Sequence, residues 1–313
     1  MELNDRIQGA IVGLAYGDAL GLGAEFMTRQ EVESYYPDGL RHFDQIIRDA
    51  HRSEWKRGEW TNDTILTNLM LECVIESDGF VPTNLCRKFQ DWYAEENRDI
   101  APVMRMFCTN REWAHNPIPV AHRLWHESGI TEASNETLHR AVVTGLTSED
   151  SAVYEQTRQF VLMTHDDSRC VSTTVVLALV LRAILKDKPI DIDYLLRICN
   201  SIDGRSVPFL EKAREGDIEG LQIDDRETQM WTRKGMAAAL WGLWHTDNAA
   251  DAIHKVIDLG GDADTNAGMA GALAGLKYGY DALPQEKEKI IGFDYLIDLS
   301  ERLTEFVDKK VFG

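Results

Sequence analysis

Gly260-Gly261-Asp262-Ala263-Asp264-Thr265-Asn266 runs straight into Ala267-Gly268-Met269-Ala270-Gly271-Ala272-Leu273-Ala274-Gly275, and the rest of the chain is organised around this stretch. Two glycines permit a tight turn, two carboxylates two positions apart can converge on one centre, and the small residues behind them predict a closely packed, buried helix. Asp and Thr are also ordinary caps at the positive end of a helix. Two acids, a hydroxyl and an amide within five residues exceed what a cap requires, so the pattern points to a metal-binding turn at a helix N-terminus. An EF-hand is excluded, because its obligatory glycine would fall on Ala267 and its bidentate glutamate on Leu273.

A similar arrangement stands far upstream. Gly58-Glu59-Trp60-Thr61-Asn62-Asp63-Thr64 precedes Ile65, Leu66, Leu69, Met70 and Val74 at helical spacing, which predicts a second helix opening on clustered oxygen donors. Taken alone, that turn needs no more than Thr61 or Asn62 as cap and Asp63 in the first turn. Residues 5 to 23 predict a buried helix with Gly9, Gly13, Gly17 and Gly21 along one face. A glycine costs about 1 kcal/mol of helix propensity against alanine, so this spacing implies close helix packing. The segment Gly17-Asp18-Ala19-Leu20-Gly21-Leu22-Gly23 is expected to break that helix, leaving Glu25 as either an exposed loop acid or a movable ligand on a flap.

The composition narrows the functional classes. A net charge of -19 over 313 residues disfavours a nucleic-acid backbone as bulk partner. No basic and apolar leader opens the chain, and the longest clean apolar run, Val175 to Leu181, is too short to cross a bilayer. A soluble, cytoplasmic protein with no membrane partner is expected. Cys73, Cys86, Cys108, Cys170 and Cys199 lie at wide, irregular spacings without a C-x-x-C pair, which suggests neither a zinc knuckle nor a disulfide framework.

Residues 30 to 58 lack a period and are expected to form a long surface excursion. His122 and His126 stand at i, i+4, but no Cys, Asp or third His follows at a ligand spacing, so packing or surface histidines are the expectation. Ser134-Asn135-Glu136-Thr137-Leu138-His139-Arg140 forms a polar turn, and Thr164-His165-Asp166-Asp167 sits between two helical patterns, with its acids as caps. Residues 211 to 233 are charged and loop-like; helices are expected at 235 to 244, 248 to 259 and 285 to 307. No alternating strand ladder occurs and no linker divides the chain, so residues 1–313 are read as one all-α domain, a compact helical bundle.

Together, Gly17-Asp18-Ala19-Leu20-Gly21, Trp60-Thr61-Asn62-Asp63-Thr64, the Ser134-Asn135 to Arg140 turn and Gly260 to Asn266 with its small-residue helix resemble the ADP-ribosylglycohydrolases, in order and separation over essentially the whole chain. The resemblance implies an all-α bundle holding two divalent cations, Mg2+ or Mn2+, in a cleft between two helix N-termini. It implies Thr61, Asn62 and Asp63 as one set of metal ligands and Asp262, Asp264 and Thr265 as the other. Glu25 matches the flap glutamate; Asn135, Arg140 and His165, with Gly261, match positions facing ADP-ribose. The family pattern is T-D-D-T where this chain has Thr61-Asn62-Asp63-Thr64, so an amide replaces one metal carboxylate.

The activity so implied is hydrolysis of the glycosidic bond between ADP-ribose and an acceptor (a protein side chain, nucleic acid or small molecule). Asp63, Asp262, Asp264 and Glu25 would be its catalytic acids. The amide at Asn62 keeps a different class open: a weakened member that binds ADP-ribose, or neutralises a toxin or other enzyme that attaches it, without turnover.

Overall fold

The computed structural model describes residues 1–96 and 98–313. Among the described residues there is no strand, only two isolated bridges, Met27 with Gly261 and Ser134 with Trp231. The all-α architecture expected from the periodicities is the one observed.

Its axis is a pair of helices from opposite ends of the chain, the opening helix Leu3–Gly21 and the small-residue helix Ala263–Tyr278. They run antiparallel: a methyl group on Gly9, Gly13, Gly17 or Gly21 would collide with the backbone of Gly275, Gly271, Ala267 or Ala263 respectively. The glycine stripe is what lets the two backbones touch. Its propensity cost is offset by the other faces, where Ile7, Ile11, Leu14 and Leu20 are at most 2% exposed and contribute roughly 1.5–3 kcal/mol each. The expected break at Gly17 does not occur. Gly17 is packed against Ala267 and Gly268, and Asp18 directs its carboxylate to another helix instead of competing for its own backbone, so the helix continues to Gly21.

That other helix is Asn62–Glu76, with Thr61 as N-cap accepting from the Asp63 amide at 3.4 Å. Asp18, fully buried, completes the cap across the fold by accepting from the Thr61 and Thr64 amides at 3.0 and 3.1 Å. A buried carboxylate at a helix N-terminus is stabilised by the unpaired amides there. One acid on the opening helix therefore fixes where the second helix begins.

Elsewhere the structure corrects the expected loops. The 30 to 58 excursion carries the short helix Arg29–Tyr35, with Thr28 and Glu31 as a capping box, and two single 3-10 turns. Leu40, Phe43, Ile46 and Trp55 anchor it in the core, and the buried Arg52 donates to the Gly23 carbonyl at 2.9 Å. The charged 211 to 233 region begins inside the helix Val207–Glu215. The last helix starts at Phe293, because Gly292 takes a left-handed φ of 84° after the 3-10 stretch Gln285–Lys289. Ser168–Leu185 is long and apolar enough to cross a membrane, yet it is largely buried among other helices.

Candidate functional site

Antiparallel packing of the opening and small-residue helices brings the C-terminal end of one beside the N-terminus of the other. The chain leaving the opening helix is tied there by main-chain bonds: the Phe26 amide donates to the Gly261 carbonyl at 2.6 Å and the Gly261 amide to Met27 at 2.8 Å. Gly261 needs its φ of 69°, and a side chain at that position would meet the Ile223 carbonyl. Phe26 is held at φ 60°, uncommon for a bulky residue and a mark of local strain. The strained turn delivers Glu25 inward, with 6% exposure.

Glu25, Asp262 and Asp264 thereby place carboxylate oxygens within 4.8 Å of one another. Asp63 joins them from the head of the Asn62–Glu76 helix, where its Oδ2 accepts from the Thr265 hydroxyl at 2.7 Å. Asn135 donates to Asp262 at 2.7 Å. Asp262 therefore caps no helical amide with its side chain, although it occupies the N-cap position. A cleft of about 320 Å³ opens over these groups, lined also by Asn62, Asp99, Arg105, Glu136 and Met230.

So many buried acids perturb one another. Burial, then repulsion from Asp63, raises Asp18 to about 6. Burial, opposed by the hydrogen bond from His51, leaves Glu25 at about 7. Burial and the charges of Glu25 and Asp262 push Asp264 well above the usual carboxylate range, and burial raises Asp262 too. Asp63 goes the other way: burial disfavours its charge, but His139 beside it and the Thr265 hydroxyl more than compensate, so it stays ionised. His139 is correspondingly raised despite its burial, through the attraction of Asp63 at 3.3 Å.

These residues fit a divalent cation. The donors are hard carboxylate, amide and hydroxyl oxygens converging on one cleft, the set preferred by Mg2+ or Mn2+ over zinc. Burial first, and then the repulsion between neighbouring carboxylates, raises Glu25 and Asp264, and a divalent cation would relieve both costs. Of the expected ligand set, Thr61 is not among the residues lining the cleft, and its hydroxyl accepts from the Asp63 amide at 3.4 Å. Asn62 does line it, and its side-chain amide donates to the Asp99 carbonyl.

Two expected substrate contacts lie elsewhere. Arg140 is buried, with its guanidinium donating to the Phe160 and Val161 carbonyls and to the Thr164 hydroxyl. The Val161 carbonyl also takes the Thr164 and His165 amides, so the arginine chiefly completes the Phe160 carbonyl in the last turn of the helix Val153–Leu162. His165 is fully buried between Thr164 and Ser134, and burial together with Arg140 keeps it neutral. Gly261 has both main-chain groups committed to the Phe26–Met27 turn and positions Glu25.

Sequence reasoning did not single out Asp18, Asp99, Glu136 or His139. Asp18 had a visible signal, the one acid beyond the first turn of a glycine-lined apolar helix. Glu136 and His139 stood in the quoted 134 to 140 turn, but which of its side chains turn inward depends on how that turn packs.

The sequence profile described as ADP-ribosylglycohydrolase matches residues 1–310. The chain is 24% identical over 309 residues to an ADP-ribosylarginine hydrolase, Tri1, of Serratia proteamaculans, covering 96% of this chain and 80% of that protein. It is 24% identical to the ADP-ribosyl-[dinitrogen reductase] glycohydrolase of Rhodospirillum rubrum, covering 90% and 89%. A solved structure titled ADP-ribosylglycohydrolase-related protein complex superposes with a TM-score of 0.75 and 25% identity, over 98% of this chain and 99% of that one.

Proposed function

Because the chain belongs to the ADP-ribosylglycohydrolase family, we propose that it is a cation-dependent hydrolase that releases ADP-ribose from a modified acceptor in the cytoplasm. The observation that carries this reading is the convergence of Glu25, Asp262 and Asp264 within 4.8 Å, with Asp63 bonded across to Thr265. Glu25, Asp63, Asp262, Asp264, Thr265 and Asn62 would hold two Mg2+ or Mn2+ ions. Such ions supply Lewis acidity and lower the pKa of a bound water.

The protein's own groups do the rest. Asn135 orients Asp262 through its amide, and Thr265 with His139 keeps Asp63 ionised and in place. Glu25, held by a hydrogen bond to His51 at 2.6 Å, would stand where a carboxylate can take a proton from water in the cleft, as a general base must. Hydrolysis adds water across the bond from the anomeric carbon to the acceptor: oxygen joins the carbon, and the leaving atom takes a proton.

The acceptor we favour is arginine. Asp99, Glu25 and Glu136 give the cleft an acidic lining suited to a guanidinium, and two curated relatives are named as ADP-ribosylarginine hydrolases. The test is release of ADP-ribose, with Mn2+ present, from proteins modified at arginine, serine or other acceptors. Release from the arginine substrate alone supports the full reading. Tight binding of ADP-ribose with no release from any substrate would replace it by the binding-module reading that Asn62 suggests.

A further inference from the structure

The histidine pair expected to be ordinary surface residues has acquired a third donor. His122 and His126 lie one turn apart on the helix Pro117–Ser128, with ring centroids 4.5 Å apart. The Thr164–Asp167 segment, some forty residues further along, lays Asp166 against both: its Oδ2 is 2.5 Å from His122 Nδ1 and 3.1 Å from His126 Nε2. All three donor atoms fall within 4.8 Å of one another. Neighbouring Asp167 caps the following helix and pairs with Arg169, whereas Asp166 pairs with no Lys or Arg among the described residues.

We propose that His122, His126 and Asp166 form a zinc-binding site separate from the acidic cleft. Two imidazoles and one carboxylate, with a fourth position open to water, are a donor set that zinc accepts and that hard Mg2+ and Mn2+ do not favour. Zinc bonds of about 2.0–2.2 Å set tetrahedral donor atoms about 3.3 Å apart, so the three side chains need only spread slightly around the ion. Both histidines are more than half exposed and can adjust, and the ion can enter from solution. A bound ion would pin the 117–128 helix to the 164–167 segment. That junction already carries the Trp125 ring 5.2 Å from His165, whose Nε2 meets the Ser134 hydroxyl next to Asn135.

The test uses the full chain, stripped of metal and supplied with excess Mg2+ to fill the cleft, and titrates Zn2+ against a chromophoric chelator. One zinc equivalent is expected, and zinc-edge X-ray absorption should show two imidazole ligands. His122→Ala and Asp166→Asn should each weaken it by more than the 10–100-fold that loss of an outer-shell partner costs. Asp262→Asn, in the cleft, should leave it unchanged. The residues are on the surface, so circular dichroism should show the variants folded. Absence of a zinc equivalent, or an affinity that neither surface substitution alters, overturns the site and leaves Asp166 as an ion-pair partner of the two histidines. Loss of the equivalent in Asp262→Asn alone would place the zinc in the cleft and overturn it equally.

Discussion

Replacing Gly21 by alanine tests whether the glycine stripe positions the site as well as packing the fold. A Cβ at this position would lie 2.5 Å from the Ala263 carbonyl oxygen and 2.6 Å from the Asp264 Cα, both backbone atoms that cannot swing aside. Carbon atoms are at ease near 3.5–4.0 Å, so the helix ends must part by about 1 Å. Overpacking of this kind costs typically 1–3 kcal/mol, and the alanine returns about 1 kcal/mol of helix propensity. A net loss of up to about 2 kcal/mol is expected from urea unfolding. The effect on function should be larger in proportion. The displaced atoms belong to Asp264, and a misplacement of about 1 Å can cost about 100-fold in rate. Gly204→Ala is the control, because its Cβ would meet only the Asn200 side chain at 3.0 Å; it should stay within about 0.5 kcal/mol of the parent. Equal or greater stability for Gly21→Ala, with Mn2+ affinity and turnover unchanged, would refute the view that this contact sets the distance between Glu25 and Asp264.

Asp264→Ala should abolish Mn2+-dependent release of ADP-ribose while circular dichroism shows the helices intact; retained turnover would remove Asp264 from the site. Asn62→Asp gives up a hydrogen bond to the Asp99 carbonyl, worth about 0.5–1.5 kcal/mol, and adds a charge facing the cations, worth about 1–4 kcal/mol per unit charge at 4 Å. Calorimetry should therefore show roughly tenfold tighter Mn2+, and weaker binding would show that repulsion among the acids dominates. In the chelator-treated protein, Asp18 and Glu25, at about 6 and about 7, bind protons more tightly folded than unfolded. Their contribution to stability is present at low pH and is lost as pH rises from roughly 4 to 7. The melting temperature should fall across that window and recover with Mn2+; a rise with pH in the absence of metal would contradict the assigned shifts.

The helical class was legible in the sequence, which also marked both helices of the central pair as closely packed without saying that they pack on each other. Small residues at a spacing of four encode their own function, because only a glycine stripe lets two helix backbones touch, and Gly9 to Gly21 meet Ala263 to Gly275 along their whole length. The acid clusters at 61 to 64 and 262 to 265 were legible for a similar local reason, as more oxygen donors than a cap can use. What the tertiary structure alone decided is where side chains of mixed character turn. Arg140 went to the end of a neighbouring helix, where it donates to the Phe160 carbonyl and the Thr164 hydroxyl. Asp18 became a cap for a helix that begins more than forty residues later. His122 and His126 gained Asp166 from a segment forty residues away. A period in the sequence records which face of a helix is buried; which distant polar group meets that face depends on how helices cross, and the local pattern of residues does not contain that angle.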